Sequence, residues 1–227
     1  MAEAIIRTEN LTKTFVLGTE KVTALNDVSI SVEKGQICAV LGTSGSGKST
    51  LLNMLAGLER PTSGSVYIGR HRIDKMTERE LTLFRQKFTG FVFQSYNLIP
   101  SLTALENVAM PLMFKGVGKQ EREARALEML RLVGLENRKN HRPFEMSGGQ
   151  QQRVGIARAF ASNPRVIFAD EPTGNLDSET TKNVMQLVCG LVHENNSTMI
   201  LVTHDNGVAE FADKIITIID GKISNEN

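Results

Sequence analysis

The chain has almost no charge bias, little cysteine and no long apolar run. It carries 26 Lys+Arg against 25 Asp+Glu, a formal net charge of +1 with His neutral. Bulk electrostatics therefore offers no reason to bind DNA, RNA or an anionic membrane. No apolar run approaches the roughly 18 residues of a transmembrane helix. The opening MAEAIIRTENLTK lacks a basic segment followed by an apolar stretch, so a secretory signal is not expected there. Cys38 and Cys189 are the only cysteines, each with apolar neighbours. They read as two buried thiols in a reducing compartment, with one disulfide as the open alternative. What is present, 227 residues at 41% hydrophobic and 22% charged, suits a folded cytosolic-type domain and is too apolar for disorder.

Short β-branched runs alternate with amphipathic stretches. Ile37–Leu41, Val166–Ala169 and Met199–Val202 are continuous apolar runs of strand length, the pattern of strands buried on both faces of a parallel sheet. The first enters a Gly-rich turn and a helix over Ser49–Leu55; the second is followed by Asp170-Glu171, the third by Thr203-His204-Asp205. Polar residues thus collect after strand C-termini, where open α/β sheets place their ligands. Ile5–Thr8, Val28–Val32 and Ser65–Ile68 alternate like antiparallel strands, and Asp220-Gly221 marks a C-terminal hairpin. From about Ser95 to Ala161 the pattern turns helical. Thr103-Ala104-Leu105-Glu106 is a capping box, Ala126, Met129, Leu130 and Val133 form one apolar helix face with Gly134 as its stop, and a further helix is expected from about Gly149 to Ser162. The expected fold is α/β: a P-loop NTPase core with a mostly parallel sheet, an antiparallel β subdomain, and a helical subdomain inserted at about 95–161 in a single domain spanning 1–227.

Gly42-Thr43-Ser44-Gly45-Ser46-Gly47-Lys48-Ser49, with Thr50 after it, matches G-x-x-x-x-G-K-[ST] in full. Its glycines let the backbone wrap a phosphate chain, whose charge meets a row of N–H groups and the positive end of the next helix. Lys48 supplies a point charge to the β- and γ-phosphates and Ser49 a hydroxyl to Mg²⁺. Asp170, ending the second apolar run, would hold the metal through water. Glu171, pointing the other way, is placed to act as general base on the attacking water. The absence of an NKxD-type motif disfavours a GTPase.

Met146-Ser147-Gly148-Gly149-Gln150 is a second phosphate-binding device at a helix N-terminus. One nucleotide needs only one, and a head-to-tail dimer, with the P-loop of one copy and Ser147 of the other enclosing one ATP, accounts for both. Together these motifs resemble the ATP-binding cassette of ABC transporters, over essentially the whole chain. The resemblance assigns Gln94, in FVFQ, to the loop between the two lobes, as a metal and water contact. Asn175-Leu176-Asp177 is similar to the family's D-loop, and His204, in VTHD, to the histidine that touches the γ-phosphate. It also makes Phe15 the ring that stacks on adenine, although a core aromatic near the first strand is the open alternative. Two further departures are Met146 for Leu and Gly174-Asn175 for the D-loop Ser or Ala. RPTSGSVYIG, GFVFQSYNLIPSLTALENV and SGGQQQRVGIARA are similar to the macrolide-exporter and lipoprotein-release branch. The implied function is an ATPase subunit of a membrane transporter, dimerising on ATP at the cytoplasmic face on separately encoded membrane subunits. The rivals are a clamp that signals to cell-wall enzymes without transport and a soluble ATPase of translation or repair. The latter is disfavoured because there is one cassette, no extra domain and no long heptad insertion.

The other candidates read as surface or core. His71, His141 and His193 lack metal-type partners at helical spacing, and Lys119–Arg131 mixes both signs as a solvated helix face does. Tyr96, Leu98, Ile99, Leu112 and Phe114 suit either a groove for a partner helix or the core of the helical lobe.

Overall fold

The computed structural model describes residues 4–226. Its centre is a six-stranded sheet in the order β11-β10-β4-β9-β8-β7, formed by β4 (Ile37–Leu41), β7 (Thr89–Phe93), β8 (Val166–Asp170), β9 (Thr198–Thr203), β10 (Lys214–Ile219) and β11 (Lys222–Glu226). Strands β7, β8, β9, β4 and β10 pair in parallel, and β11 closes the edge antiparallel through the Asp220-Gly221 turn. The apolar runs of the central strands divide residue by residue between two cores. Ile37, Ala39, Ile167, Ala169, Met199 and Leu201 face one, and Cys38, Val40, Val166, Phe168, Ile200 and Val202 the other. With period-2 alternation, both faces must be apolar, so the runs are unbroken.

The first core is covered by α3 (Ala104–Phe114), α4 (Lys119–Leu132), α5 (Gly148–Ala161) and α6 (Ser178–Glu194). The second lies under α1 (Lys48–Leu55), α2 (Glu78–Phe88) and an antiparallel sheet of β1 (Ala4–Leu17), β2 (Glu20–Val28), β3 (Ser31–Glu33), β5 (Ser63–Ile68) and β6 (His71–Arg72). A short α7 (Asn206–Ala209) follows β9. Helices α3, α4 and α5 pack on one another, and α5 also packs on β7 and α6. The Thr103–Glu106 box caps α3, with Glu106 Oε2 accepting from Thr103 N and Thr103 Oγ1 accepting from Glu106 N. These hydrogen bonds hold the Glu106 carboxyl below the usual range. Helix α4 ends at Leu132, and the Leu135 N–H returns to Leu130 O at 2.7 Å around Gly134, the Schellman closure.

Two expectations are corrected. Val28–Val32 is not one strand: β2 stops at Val28 and β3 begins at Ser31. Thr8 fills the break, its Oγ1 donating to Val28 O and accepting from Ile30 N, so a side chain replaces the missing ladder bonds. The disulfide alternative also falls. Cys38 faces one core while Cys189, on α6, packs on the other side of the sheet, and both thiols are free. Burial pushes them up to about 12 and about 11 respectively, which leaves them inert.

Candidate active site

The P-loop joins β4 to α1. Gly47 is the N-cap of α1 in a left-handed conformation and gives no side-chain cap, so the first N–H groups of the helix are left for a ligand. A Cβ there would lie 2.4 Å from Ala24 O on β2, so only glycine fits where the loop crosses the antiparallel sheet. The loop is tied on its other side as well, because the Gly221 N–H of the β10–β11 turn donates to Ser46 O at 3.0 Å. Lys48 is 6% exposed and its Nζ donates to Thr43 O at 2.8 Å. Ser46 Oγ is buried without a hydrogen-bond partner. Thr43, Ser44 and Gly45 are exposed, while Gly42 and Thr50 are half-buried.

Asp170, at the end of β8, accepts from Ser49 Oγ at 3.4 Å. Its carboxyl is raised above the ordinary range, first by burial, against the lowering effects of the Ser49 hydroxyl and the Lys48 charge. A desolvated carboxylate beside a hydroxyl is a donor set that a hard, oxygen-seeking cation fits. Glu171 follows with φ 43, its N–H held by Val202 O at 3.0 Å. Beyond that left-handed residue, its Oε1 lies 2.8 Å from His204 Nδ1. The parallel register that places Asp170 opposite Val202 is what brings Glu171 and His204 together. Both line a cleft of about 490 Å³ beside Thr173 and Gly174.

Gln94, just past β7, sets its side-chain amide beside Gly174 and Glu171. A Cβ on Gly174 would meet Gln94 Nε2 at 2.7 Å and Glu171 Oε2 at 3.3 Å. The glycine that looks like a weak D-loop residue in the sequence makes room for the Gln94 amide, and Asn175 Nδ2 donates to Gln94 O at 3.0 Å. Ser147 stands apart. It caps α5, accepting from Gln150 N while Gln150 Oε1 accepts from Ser147 N, so its hydroxyl proton remains available to an anion. With Gly148, Gly149 and Gln150 it lines a cleft of about 670 Å³ that contains no P-loop residue. Phe15 lies outside both cores on β1, half-buried, with Lys13 Nζ 4.9 Å from its ring centroid.

This arrangement has counterparts. The ABC transporter family model matches residues 25–174. The chain belongs to the ABC transporter family. An ABC transporter ATP-binding protein of Methanocaldococcus jannaschii is 49% identical over 98% of the cassette and 96% of that protein. Its solved dimeric post-hydrolysis structure, bound to ADP and Pi, superposes with TM-score 0.91 at 46% identity, covering 98% of the cassette and 97% of that chain. A macrolide export ATP-binding/permease protein of Vibrio parahaemolyticus is 44% identical over 98% of the cassette, which spans 34% of that longer protein. The lipoprotein-releasing system ATP-binding protein of Chromohalobacter salexigens is 43% identical, with 99% and 94% covered. The cassette is thus an ABC-transporter ATPase with the P-loop fold expected from its sequence, similar to the ATP-binding parts of macrolide-export and lipoprotein-releasing systems. Among the described residues, no helix is long and apolar enough to cross a membrane.

Two contributors are not legible as functional in the sequence. The β10–β11 turn buttresses the P-loop from 175 positions away, Gly221 against Ser46, and nothing local marks that contact. Arg158 is the one charge within the otherwise apolar run Val154–Ala161, and that break in the pattern is its signal.

Proposed function

We propose that the cassette powers an exporter or lipoprotein-handling transporter as an ATP-closed homodimer, bound at the cytoplasmic face to separately encoded membrane subunits. One observation carries this reading. The Ser147 cleft is lined by none of Lys48, Ser49, Asp170, Glu171 and His204, so a second copy is needed to bring the two devices onto one ATP. In this reading residues 42–50 cradle the triphosphate, and Phe15 stacks on the base. Ser49, Asp170 and Gln94 would hold Mg²⁺. The metal, when bound, offsets charge on the β- and γ-phosphate oxygens. Glu171 takes the proton of the attacking water, and His204 orients that carboxylate and reaches the γ-phosphate. Ser147 donates to the γ-phosphate of the opposite copy.

We assign residues 95–161 to a helical lobe that moves as a unit. Between it and the core lies a groove of about 350 Å³, lined by Arg85 and Phe91 on one wall and Met110, Pro111 and Phe114 on the other. Phe114 is 59% exposed there, whereas Leu112 is core. The groove suits a helix of the membrane partner. Transport is favoured over signalling because the relatives named above are export and lipoprotein-release proteins.

Truncation of the base platform is one test. Phe15→Ala should lose roughly 1–3 kcal/mol of ATP affinity, measured by nucleotide titration, and Phe15→Tyr should retain it; equal affinity in the Ala variant would remove the stacking role. The wider reading is tested by reconstituting the cassette with its membrane subunit in proteoliposomes. Substrate or lipoprotein movement that stops in the Glu171→Gln variant is expected. ATP turnover indifferent to the membrane subunit, with nothing moved, would contradict it.

A further inference from the structure

Arg158 lies on α5, is 7% exposed, and has no carboxylate partner among the described residues. Its two terminal nitrogens donate instead to the carbonyl oxygens of Asn97 and Tyr96, the latter at 2.8 Å. Burial pulls the guanidinium below its ordinary value, a cost that calls for a compensating role. The carbonyls it holds belong to an unusual segment. Tyr96 (φ 60) and Asn97 (φ 48) are consecutive left-handed non-glycine residues, two positions beyond Gln94. Such a pair is unfavourable unless the surroundings enforce it.

The Tyr96 side chain then runs back along α5 toward its phosphate end. A Cβ on Gly148 would fall 2.8 Å from Tyr96 Oη, and one on Gly155 would lie 3.6 Å from Tyr96 O. Gly148 therefore serves a second purpose, as the notch that receives the tyrosine hydroxyl. Asn97 and Arg158 also line the groove between the lobes. One fork of hydrogen bonds thus touches the groove, the segment after Gln94, and the helix that Ser147 caps.

We propose that Arg158 and Tyr96 form a clasp that makes the Gln94 segment and the Ser147 end of α5 move as one piece, with Arg158 as the positioning residue. Pressure on the groove floor then reaches both phosphate-facing groups together: Gln94 toward its own ATP and Ser147 toward the opposite one. The inference rests on the shared-site reading given above and adds to it a residue that touches neither nucleotide. Arg suits the role because its planar guanidinium holds two carbonyls in one fixed geometry, whereas an ammonium offers rotatable donors with no fixed fork.

The test compares Arg158→Met, Arg158→Lys and Arg158→Met/Asn97→Gly in ATP binding, steady-state hydrolysis, and ATP-dependent dimerisation of the Glu171→Gln form. The P-loop and Phe15 do not contact the clasp, so monomer affinity for ATP should stay within about twofold, while kcat falls about tenfold or more and the dimer weakens. Arg158→Lys should recover only part of kcat. Asn97→Gly should restore part of the rate to Arg158→Met, because glycine takes the left-handed conformation unaided. Should Arg158→Met fail to bind ATP at all, Arg158→Lys carries the same comparison. Wild-type kcat and dimerisation in Arg158→Lys and in every Arg158→Met preparation that binds ATP would overturn the clasp. An unmutated chain that neither hydrolyses ATP nor dimerises would instead overturn the shared-site reading.

Discussion

Replacing Glu171 by Gln is expected to slow ATP hydrolysis about 10²–10⁴-fold while ATP still binds. The substitution keeps the size of the side chain and an oxygen that can accept from His204 Nδ1, now 2.8 Å from Oε1. It removes the one group at this position able to take a proton from water. The backbone that aims the side chain is unaffected, since φ 43 at residue 171 and the bond from its N–H to Val202 O belong to the turn. The Ser49–Asp170 pair, on the other side of that turn, is also left in place. Phosphate release and equilibrium nucleotide titration measure the two halves of this expectation. A variant that turns over ATP within twofold of the parent would take Glu171 out of the chemistry.

Lys48→Ala should abolish measurable turnover and weaken ATP binding by about 1.5–3 kcal/mol, the range for a hydrogen bond to a charged group, or roughly 10–150-fold. Lys48 is buried but belongs to neither core cluster; among the described residues its one polar partner is Thr43 O within the loop. Its loss also removes the charge that lowers the Asp170 carboxyl against burial, so that group should titrate still higher and release its proton to a metal less readily. The fold should persist, and thermal melting checks this separately from nucleotide affinity. Parent-like hydrolysis would remove the phosphate-loop assignment.

The parallel sheet was legible in the sequence because strands buried on both faces cannot carry polar residues: Ile37–Leu41, Val166–Ala169 and Met199–Val202 are the observed strands to within a residue or two. Capping chemistry was equally local, and the Thr103–Glu106 box and the Gly134 stop lie at the expected positions. Helix α2 carries the same signal in its own Thr77–Glu80 box, within a stretch rich in charged residues. What the sequence could not convey was the meeting of distant segments. Thr8 bridging the gap after Val28, the Gly221 turn behind the P-loop, and Gly174 yielding space to Gln94 each depend on two elements brought together only by the tertiary fold. Arg158 belongs to the same class: its helix was expected, but its carbonyl partners lie some 60 positions earlier.

The central claim, that Lys48 of one copy and Ser147 of the other enclose the same ATP, is tested most directly by sedimentation of the Glu171→Gln cassette with and without ATP, alone and combined with Ser147→Arg. Slow hydrolysis should trap a dimer with ATP and leave a monomer without it. The added arginine, placed where the Ser147 hydroxyl faces the opposing γ-phosphate, should return the protein to a monomer even at saturating ATP. A Glu171→Gln protein that remains monomeric with ATP, both free and bound to its membrane subunit, or a Ser147→Arg form that dimerises undiminished, would contradict the account.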